Sequence, residues 1–316
     1  MTTTAPIATA ALPAATALSS AARSLAGASL APSTVRAYGR LVAALEAWLA
    51  ARGRVRDDAA VADWIADLHQ IGQSPATIGQ AVAAIRFASR VSGQPDIAGP
   101  ATARVLAGIR REGRGRGPGQ VQGIGWPGAD AIAALAAASR SPAGLRDAAM
   151  VALASDCLLR VSELVAVDVA DIAREDDGSG RLTVRHSKAD QEGRGQALYA
   201  GPGTMARIAA WCDCAGIGSG PVFVRILRGG HPRPGARITA RAARQVIASR
   251  AAAAGIPGRV SGHSLRVGAA QSLAAAGAGL VELQQAGRWG SPSMPGHYAR
   301  GQLAARGAVA RLRHGQ

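Results

Sequence analysis

Between Arg110 and Gly119 the chain reads Arg-Arg-Glu-Gly-Arg-Gly-Arg-Gly-Pro-Gly, ten residues with no apolar side chain to bury. Glycine keeps such a backbone open and the charges keep it solvated, so the stretch 113–124 is predicted to be a basic, Gly-rich linker. Whatever folds on either side must then build its own core. The composition allows it: 48% of the 316 residues are hydrophobic and only 18% are charged, which excludes a wholly disordered chain.

Upstream, residues 31–112 carry the three-to-four spacing of amphipathic helices. Ser33-Thr34 is expected to cap a run from Val35 to Ala51, with Leu41, Ala44, Leu45, Trp48 and Leu49 on one side. Asp57-Asp58 opens a second helix through Val61, Trp64, Ile65 and Leu68. Ser74-Pro75 opens a third through Ile78, Val82, Ile85 and Phe87, and Pro100 a fourth with Val105, Leu106 and Ile109. Proline suits a first turn, where its missing N–H has no helical partner. The span reads as an all-helical domain. Ahead of it, residues 1–30 are rich in Ala, Ser and Thr, lack the basic start of a secretory signal, and read as a disordered tail.

Downstream, over 125–316, the pattern resumes with an Ala-rich helix, Asp130 to Ala138, and a more apolar one, Leu145 to Leu159. Another segment begins at Val161. The period then changes: Arg181-Leu182-Thr183-Val184-Arg185-His186 alternates as a strand does, and Gln196-Ala197-Leu198-Tyr199 is its expected partner across a hairpin loop. Helices return at Gly203–Ala215, Thr239–Ala254, Ser264–Ala276 and Val281–Ala286, and again after Tyr298. The expected class is mainly α with a small antiparallel β-sheet in the C-terminal domain, that is, α+β.

The net charge of +16 points to an acidic partner, nucleic acid first. Of the 36 basic residues 35 are arginine, and the single lysine is Lys188, where the first strand enters the hairpin loop. In a chain so rich in Ala, Gly and Arg, a lone lysine is either an accident or a place where arginine fails. The linker arginines are open to two readings, a solvated spacer or one that tracks a phosphate backbone. No apolar run of about 18 residues suggests a membrane span. The three cysteines include no CxxC pair and no His/Cys cluster, so structural zinc is not expected and free thiols suit a reducing cytosol.

The densest chemistry lies at Gly262-His263-Ser264-Leu265-Arg266, followed by Gly287-Arg288-Trp289 and His297-Tyr298-Ala299-Arg300. His263 and Arg266 stand one helical turn apart, which aims two donors at a single phosphate. An HxxR alone recurs by chance and is as readily a surface pair. Upstream, Arg160 follows the apolar Cys157-Leu158-Leu159 and has Glu163 one turn on. The plain reading is an intrahelical ion pair; the sharper one is a partly buried charge with a purpose beyond stability.

The order Arg160, Lys188, His263-Ser264-Leu265-Arg266, Trp289, Tyr298 resembles the tyrosine recombinase (phage integrase) family, in particular its Cre-type branch, where a tryptophan takes the place of a second histidine. Ser187-Lys188-Ala189-Asp190-Gln191-Glu192-Gly193, Arg266-Val267-Gly268-Ala269-Ala270 and Gln285-Ala286-Gly287-Arg288-Trp289 extend the likeness, which covers residues 31 to 313. It implies a helical, SAM-like core-binding domain and an integrase-like catalytic domain that clamp double-stranded DNA. By the same likeness Tyr298 attacks the scissile phosphate and forms a 3′-phosphotyrosyl link. Arg160, Arg266, His263 and Trp289 hold the non-bridging oxygens, Glu163 orients that group, and Lys188 protonates the departing 5′-oxygen. No metal, nucleotide or other cofactor is implied. The partners implied are a DNA site with inverted repeats and further copies of the chain, four in the synapse, in the cytoplasm.

A general acid must be able to lose its proton, which lysine does from about 10.4 downward and arginine, above about 12, does not. That distinguishes Lys188 from the arginines. Arg110, Arg111, Arg114, Arg116 and Arg288 are candidate contacts to the DNA backbone. Pro295-Gly296, just before Tyr298, is expected to form a turn where the family has a helical approach. Residues Gln302 to Leu312 either dock on a neighbouring protomer or cap their own domain. Two other functions fit the same residues: DNA relaxation in the manner of a type IB topoisomerase, and DNA binding without catalysis.

Overall fold

A computed structural model of the chain describes residues 21, 29–113, 121–185, 195–298 and 300–301. Nearly all of the Ala-rich tail, Arg114, Arg116, Lys188 with its loop, and Gln302 onward lie outside the described residues. The chain divides into two compact units, one ending at Gly119 and one beginning at Gln120.

The first unit is a bundle of helices α1 (Pro32–Arg52), α2 (Asp58–Gln70), α3 (Pro75–Ser92) and α4 (Pro100–Glu112). Leu45, Val61, Ile65, Ile78, Ile85 and Leu106 meet in its core. Asp57 caps α2 by accepting the Ala60 N–H at 2.7 Å, and Ser74 caps α3 by accepting that of Thr77 at 3.2 Å. Helix α1 begins earlier than expected: Pro32 takes the first turn, so Ser33 and Thr34 lie inside the helix and cap nothing. Helix α4 has only Gly99 at its N-cap, and the carboxylate of Asp58 supplies the cap from α2, accepting the N–H groups of Gly99, Ala101 and Thr102.

In the second unit α5 (Trp126–Ala138) and α6 (Pro142–Asp156) pack side by side, followed by α7 (Val161–Ala166) and a single 3₁₀ turn at Val169–Asp171. Strands β1 (Ile172–Arg174), β2 (Gly180–Val184) and β3 (Gln196–Ala200) form an antiparallel sheet in that order, with Leu182 opposite both Ile172 and Leu198. After α8 (Pro202–Ala215) comes a second antiparallel pair, β4 (Val224–Ile226) with β5 (Pro232–Arg237), then α9 (Ala240–Ala253), α10 (Ser264–Ala275), α11 (Leu280–Gly287) and α12 (Ser293–Tyr298). The fold is mainly helical with small antiparallel sheets, as the periodicity implied; β1, β4 and β5 are additions to it.

Helix α6 is the axis of this unit. Residues Ala148 to Ala154 are all buried, their small side chains letting neighbours approach closely, while Met150 and Leu153 fill the gaps. Trp211 on α8 is fully buried and donates its indole N–H to the Val222 carbonyl at 2.7 Å. The segment that leads into α5 runs against α10: the Ile124 N–H donates to the Ser264 carbonyl at 2.9 Å, and a Cβ on Gly268 would stand 2.0 Å from Ile124 backbone atoms. Only glycine permits that approach. Among the described residues no helix is long and apolar enough to cross a membrane.

Candidate active site

The site begins where α6 ends. The apolar run from Leu145 suggested a helix through Leu159, but it stops at Asp156, and Leu158 is left-handed, with φ of 46°. A leucine there costs roughly 1–2 kcal/mol. The Leu159 N–H closes the helix end on the Ala154 carbonyl at 3.1 Å, leaving the carbonyls of Cys157 and Leu158 to accept from arginines. Cys157 O takes Nη1 of Arg288 at 3.0 Å; Leu158 O takes Nη2 of Arg288 at 3.2 Å and Nη1 of Arg266.

The chain then enters α7, with Arg160 as its N-cap. The Arg160 N–H donates to Glu163 Oε2 at 2.9 Å, and its Nη1 donates to Oε1 at 2.6 Å. The Arg–Glu pair read from the sequence exists, but as a cap that fixes the arginine ahead of the helix. Glu163 is buried, and its Oε2 also accepts from Nη2 of Arg288 at 2.7 Å.

Arg288 is the main correction to the sequence reading. Expected on the DNA backbone, it is only 6% exposed. Helix α11 stops at Gly287, and Arg288 adopts φ of 53° as its C-cap, from which its side chain runs inward to Glu163 and the end of α6. Of the three non-glycine residues with positive φ among the described residues, two, Leu158 and Arg288, meet in this cluster. Arg110 and Arg111, by contrast, lie exposed in the last turn of α4, in the first unit.

From α10, His263 sits exposed at the N-cap and Arg266 one turn on is fully buried. Arg266 donates to the Leu158 and Gly287 carbonyls, and its guanidinium carbon lies 4.6 Å from the centroid of the Trp289 ring. The other side of the chain of contacts is the pair Trp289–Tyr298, with ring centroids 5.7 Å apart. A Cβ on Gly287 would stand 1.9 Å from the indole, so the glycine seats the ring. Tyr298 ends α12. The turn expected at Pro295-Gly296 is helix instead: Pro295 falls within the first turn, where no N–H is needed, and the Gly296 N–H reaches the Pro292 carbonyl at 3.2 Å.

Arg160, Glu163, His263, Arg266, Trp289 and Tyr298 are thus gathered from four helices and the loops beside them. The phage integrase family matches residues 128–304, which spans all six.

The chain belongs to the phage integrase family.

This tyrosine recombinase is of the Cre-like branch. It is 27% identical to the recombinase Cre of Escherichia phage P1 over 268 residues, covering 80% of this chain and 78% of Cre. An integrase/recombinase XerD homolog of Selenomonas ruminantium is 32% identical over 138 residues, 42% of this chain and 40% of that protein. Among solved structures, a XerH site-specific recombinase bound to a palindromic difH substrate superposes with a TM-score of 0.62 at 12% identity, over 82% of this chain and 72% of that one. A lambda integrase dimer bound to a COC′ core site gives 0.60 at 15% identity, over 88% and 92%. Both share the fold.

Electrostatics in the recombinase site favour an anion. Burial alone pushes the Glu163 carboxyl up, but Arg288, the Arg160 N–H and the Arg160 guanidinium together hold it below its ordinary value, so it stays ionised. Partial burial lowers the His263 pKa, and the guanidinium groups of Arg266 and Arg160 lower it further, against a smaller pull from Glu163. The imidazole is therefore neutral near pH 7, able to donate one N–H without carrying charge. Burial, then Arg160 and Arg288, lower the Arg266 pKa, against a smaller pull from Glu163, and the guanidinium stays cationic at neutral pH. Three arginines thus face one carboxylate. Cys157 takes no part: burial pushes its thiol up to about 12, and the thiol donates to the Tyr199 carbonyl.

Proposed function

We propose that this site-specific recombinase cuts and rejoins double-stranded DNA through Tyr298. The Tyr298 oxygen attacks the scissile phosphorus as its phenolic proton passes to solvent, the P–O5′ bond breaks, and a 3′-phosphotyrosyl link forms while the 5′-oxygen leaves with a proton from Lys188. Arg160, Arg266, His263 and Trp289 hold the non-bridging oxygens as charge builds on them, and Glu163 holds Arg160. The phosphodiester energy stays in the tyrosyl link until another 5′-hydroxyl attacks it, so the cycle asks for no metal and no nucleotide.

One observation supports this reading: contacts run from the Arg266 guanidinium to the Trp289 ring and on to the ring of Tyr298, the proposed nucleophile. The target proposed is a duplex with inverted repeats, bound by four copies in the synapse, in the cytoplasm. The exposed Arg110 and Arg111, with Arg114 and Arg116 beyond them, are proposed to contact the DNA backbone. Likeness to Cre over 268 residues favours recombination above relaxation or simple binding.

The test begins by recovering a bound site from a random-sequence DNA pool. A nicked suicide duplex of that site should trap a covalent adduct with the wild-type protein and none with Tyr298→Phe, while both bind the DNA. An adduct with Tyr298→Phe sinks the assignment.

A further inference from the structure

Arg288 stands apart from the phosphate-binding set. Its side chain is 3% exposed and ion-paired with Glu163, and its donors contact both halves of the site. One Nη2 donates to Glu163, which in turn holds Arg160 by its guanidinium and its N–H. The same nitrogen donates to the Leu158 carbonyl, which Arg266 also shares. The other, Nη1, takes the Cys157 carbonyl. The two arginines proposed to grip the phosphate are therefore linked through a third, buried arginine. Its own left-handed backbone sets the direction of Trp289, the next residue, which covers Arg266.

We propose that Arg288 is a positioning residue for strand cleavage, bracing Glu163 and the strained end of α6 so that Arg160 and Arg266 are preset for the scissile phosphate. The inference rests on the tyrosine-nucleophile reading above. A purely structural ion pair would serve stability alone; here the pair continues to Arg160, which the proposed function puts on the phosphate. Buried ion pairs add little net stability, which makes geometry the better account of this one.

Arg288 also governs the charge of Glu163. The groups that face this carboxylate are Arg160 at its own N-cap, Arg288 from the end of α11, and His263 and Arg266 from α10, with Asp168, Asp171 and Arg185 lining the cavity beside it. The largest single contribution against burial is the charge of Arg288, with Arg160 adding its N–H, its guanidinium hydrogen bond and its charge. Without it the carboxyl is left buried with Arg160 as its ion-pair partner, and protonation becomes easier as pH falls.

The experiment compares wild type, Arg288→Met, Arg288→Lys, Glu163→Gln and the Arg288→Met/Glu163→Gln double variant on the nicked duplex recovered by the wild-type protein. Single-turnover cleavage is followed across pH about 5 to 9, with DNA affinity at several salt concentrations alongside. Arg288→Met is expected to bind DNA with unchanged affinity and salt dependence but to cleave on the order of 100-fold more slowly. Its rate should fall further toward acid pH, and that limb should vanish in the double variant. The double variant should cleave no more slowly than the slower single one, because both changes break the same brace.

Weaker binding with a shallower salt dependence in Arg288→Met would return the residue to the DNA backbone and overturn the inference. So would multiplying rate losses, or cleavage as fast as wild type. If Arg288→Met does not fold, the same cycle with Arg288→Lys decides on the same criterion of shared or multiplying losses. Failure of the wild-type protein to form any adduct would overturn the proposed function itself, an outcome distinct from all of these.

Discussion

The Arg266 guanidinium carbon lies 4.6 Å from the centroid of the Trp289 ring, and the indole, not a carboxylate, is what covers this fully buried cation. The same indole meets the Tyr298 ring on its other side of contact, 5.7 Å between centroids. Trp289→Phe keeps a ring in that place and should preserve most of the stability. Trp289→Ala opens a cavity beside a buried charge and should cost about 3–5 kcal/mol in denaturant unfolding, with cleavage falling as Arg266 and Tyr298 lose their shared neighbour. Equal stability of the two variants would mean that the ring contacts contribute little.

Arg266→Lys tests whether the fork or the charge matters. An ammonium has no planar fork to place on the Leu158 and Gly287 carbonyls together and no flat face for the indole. An ammonium that stays on the Leu158 carbonyl, which Arg288 also serves, leaves the Gly287 carbonyl without the Arg266 donor, worth about 1–3 kcal/mol of stability. Cleavage should drop by about 10²–10³-fold, the range seen when one donor to a developing oxyanion is removed. DNA affinity should stay within a few fold, since most of it comes from exposed arginines elsewhere.

The helical starts at Asp57 and Ser74 were legible because each cap acts within one turn of chain, and the start at Pro100 because proline itself suits a first turn. So was the β2–β3 pair, where alternation in the sequence becomes alternation of burial. Strands β4 and β5 were not: the first has three residues, and the second is Pro-Arg-Pro-Gly-Ala-Arg, with no alternation to read. At the site, the six gathered residues were legible by type and order, and the roles proposed for them rest on family likeness alone. Arg288 was misread for a physical reason. Whether a side chain at a helix end points inward depends on one left-handed backbone angle, and a non-glycine residue gives no local sign of it. Pro295-Gly296 misled similarly, since both residues break helices in the interior but are harmless in a first turn.

Acid sensitivity should show two separable limbs. His263 and Glu163 both have folded pKa values below their ordinary ones. For each, the unfolded chain binds the proton more readily, so stability is full above the unfolded pKa and is lost as pH falls below it toward the folded value. The His263 limb therefore starts as pH drops through about 6.5, and the Glu163 limb through about 4.3. Melting temperatures taken from neutral to acid pH should flatten in the first window for His263→Gln and in the second for Glu163→Gln. If His263→Gln leaves the upper window as steep as wild type, the imidazole is not held neutral by its surroundings.

Gly268→Ala should be among the most disruptive single-methyl changes in the second unit. The added carbon meets backbone atoms of Ile124 at 2.0 Å, and backbone on both sides cannot rotate away as a side chain can. Overpacking of this kind costs about 1–3 kcal/mol, and the shift falls on α10, which carries His263 and Arg266. Unfolding and cleavage should both worsen, whereas Gly218→Ala, with open space at its Cβ, should change neither.

Lys188 is the one lysine among 36 basic residues, and the proposed role asks of it what no arginine can do, to give up a proton. Lys188→Arg should bind DNA normally and cleave about 10²–10⁴-fold more slowly, the usual worth of general acid catalysis. The decisive measurement changes the substrate rather than the enzyme. A duplex with sulfur in place of the bridging 5′-oxygen releases a thiolate, whose conjugate acid has a pKa of about 8.5, and it departs without being protonated. Lys188→Arg should cut that duplex at close to the wild-type rate. A variant that stays slow on the sulfur substrate would show that the lysine serves the site by its shape or contacts, and that its solitude in the sequence is an accident of composition.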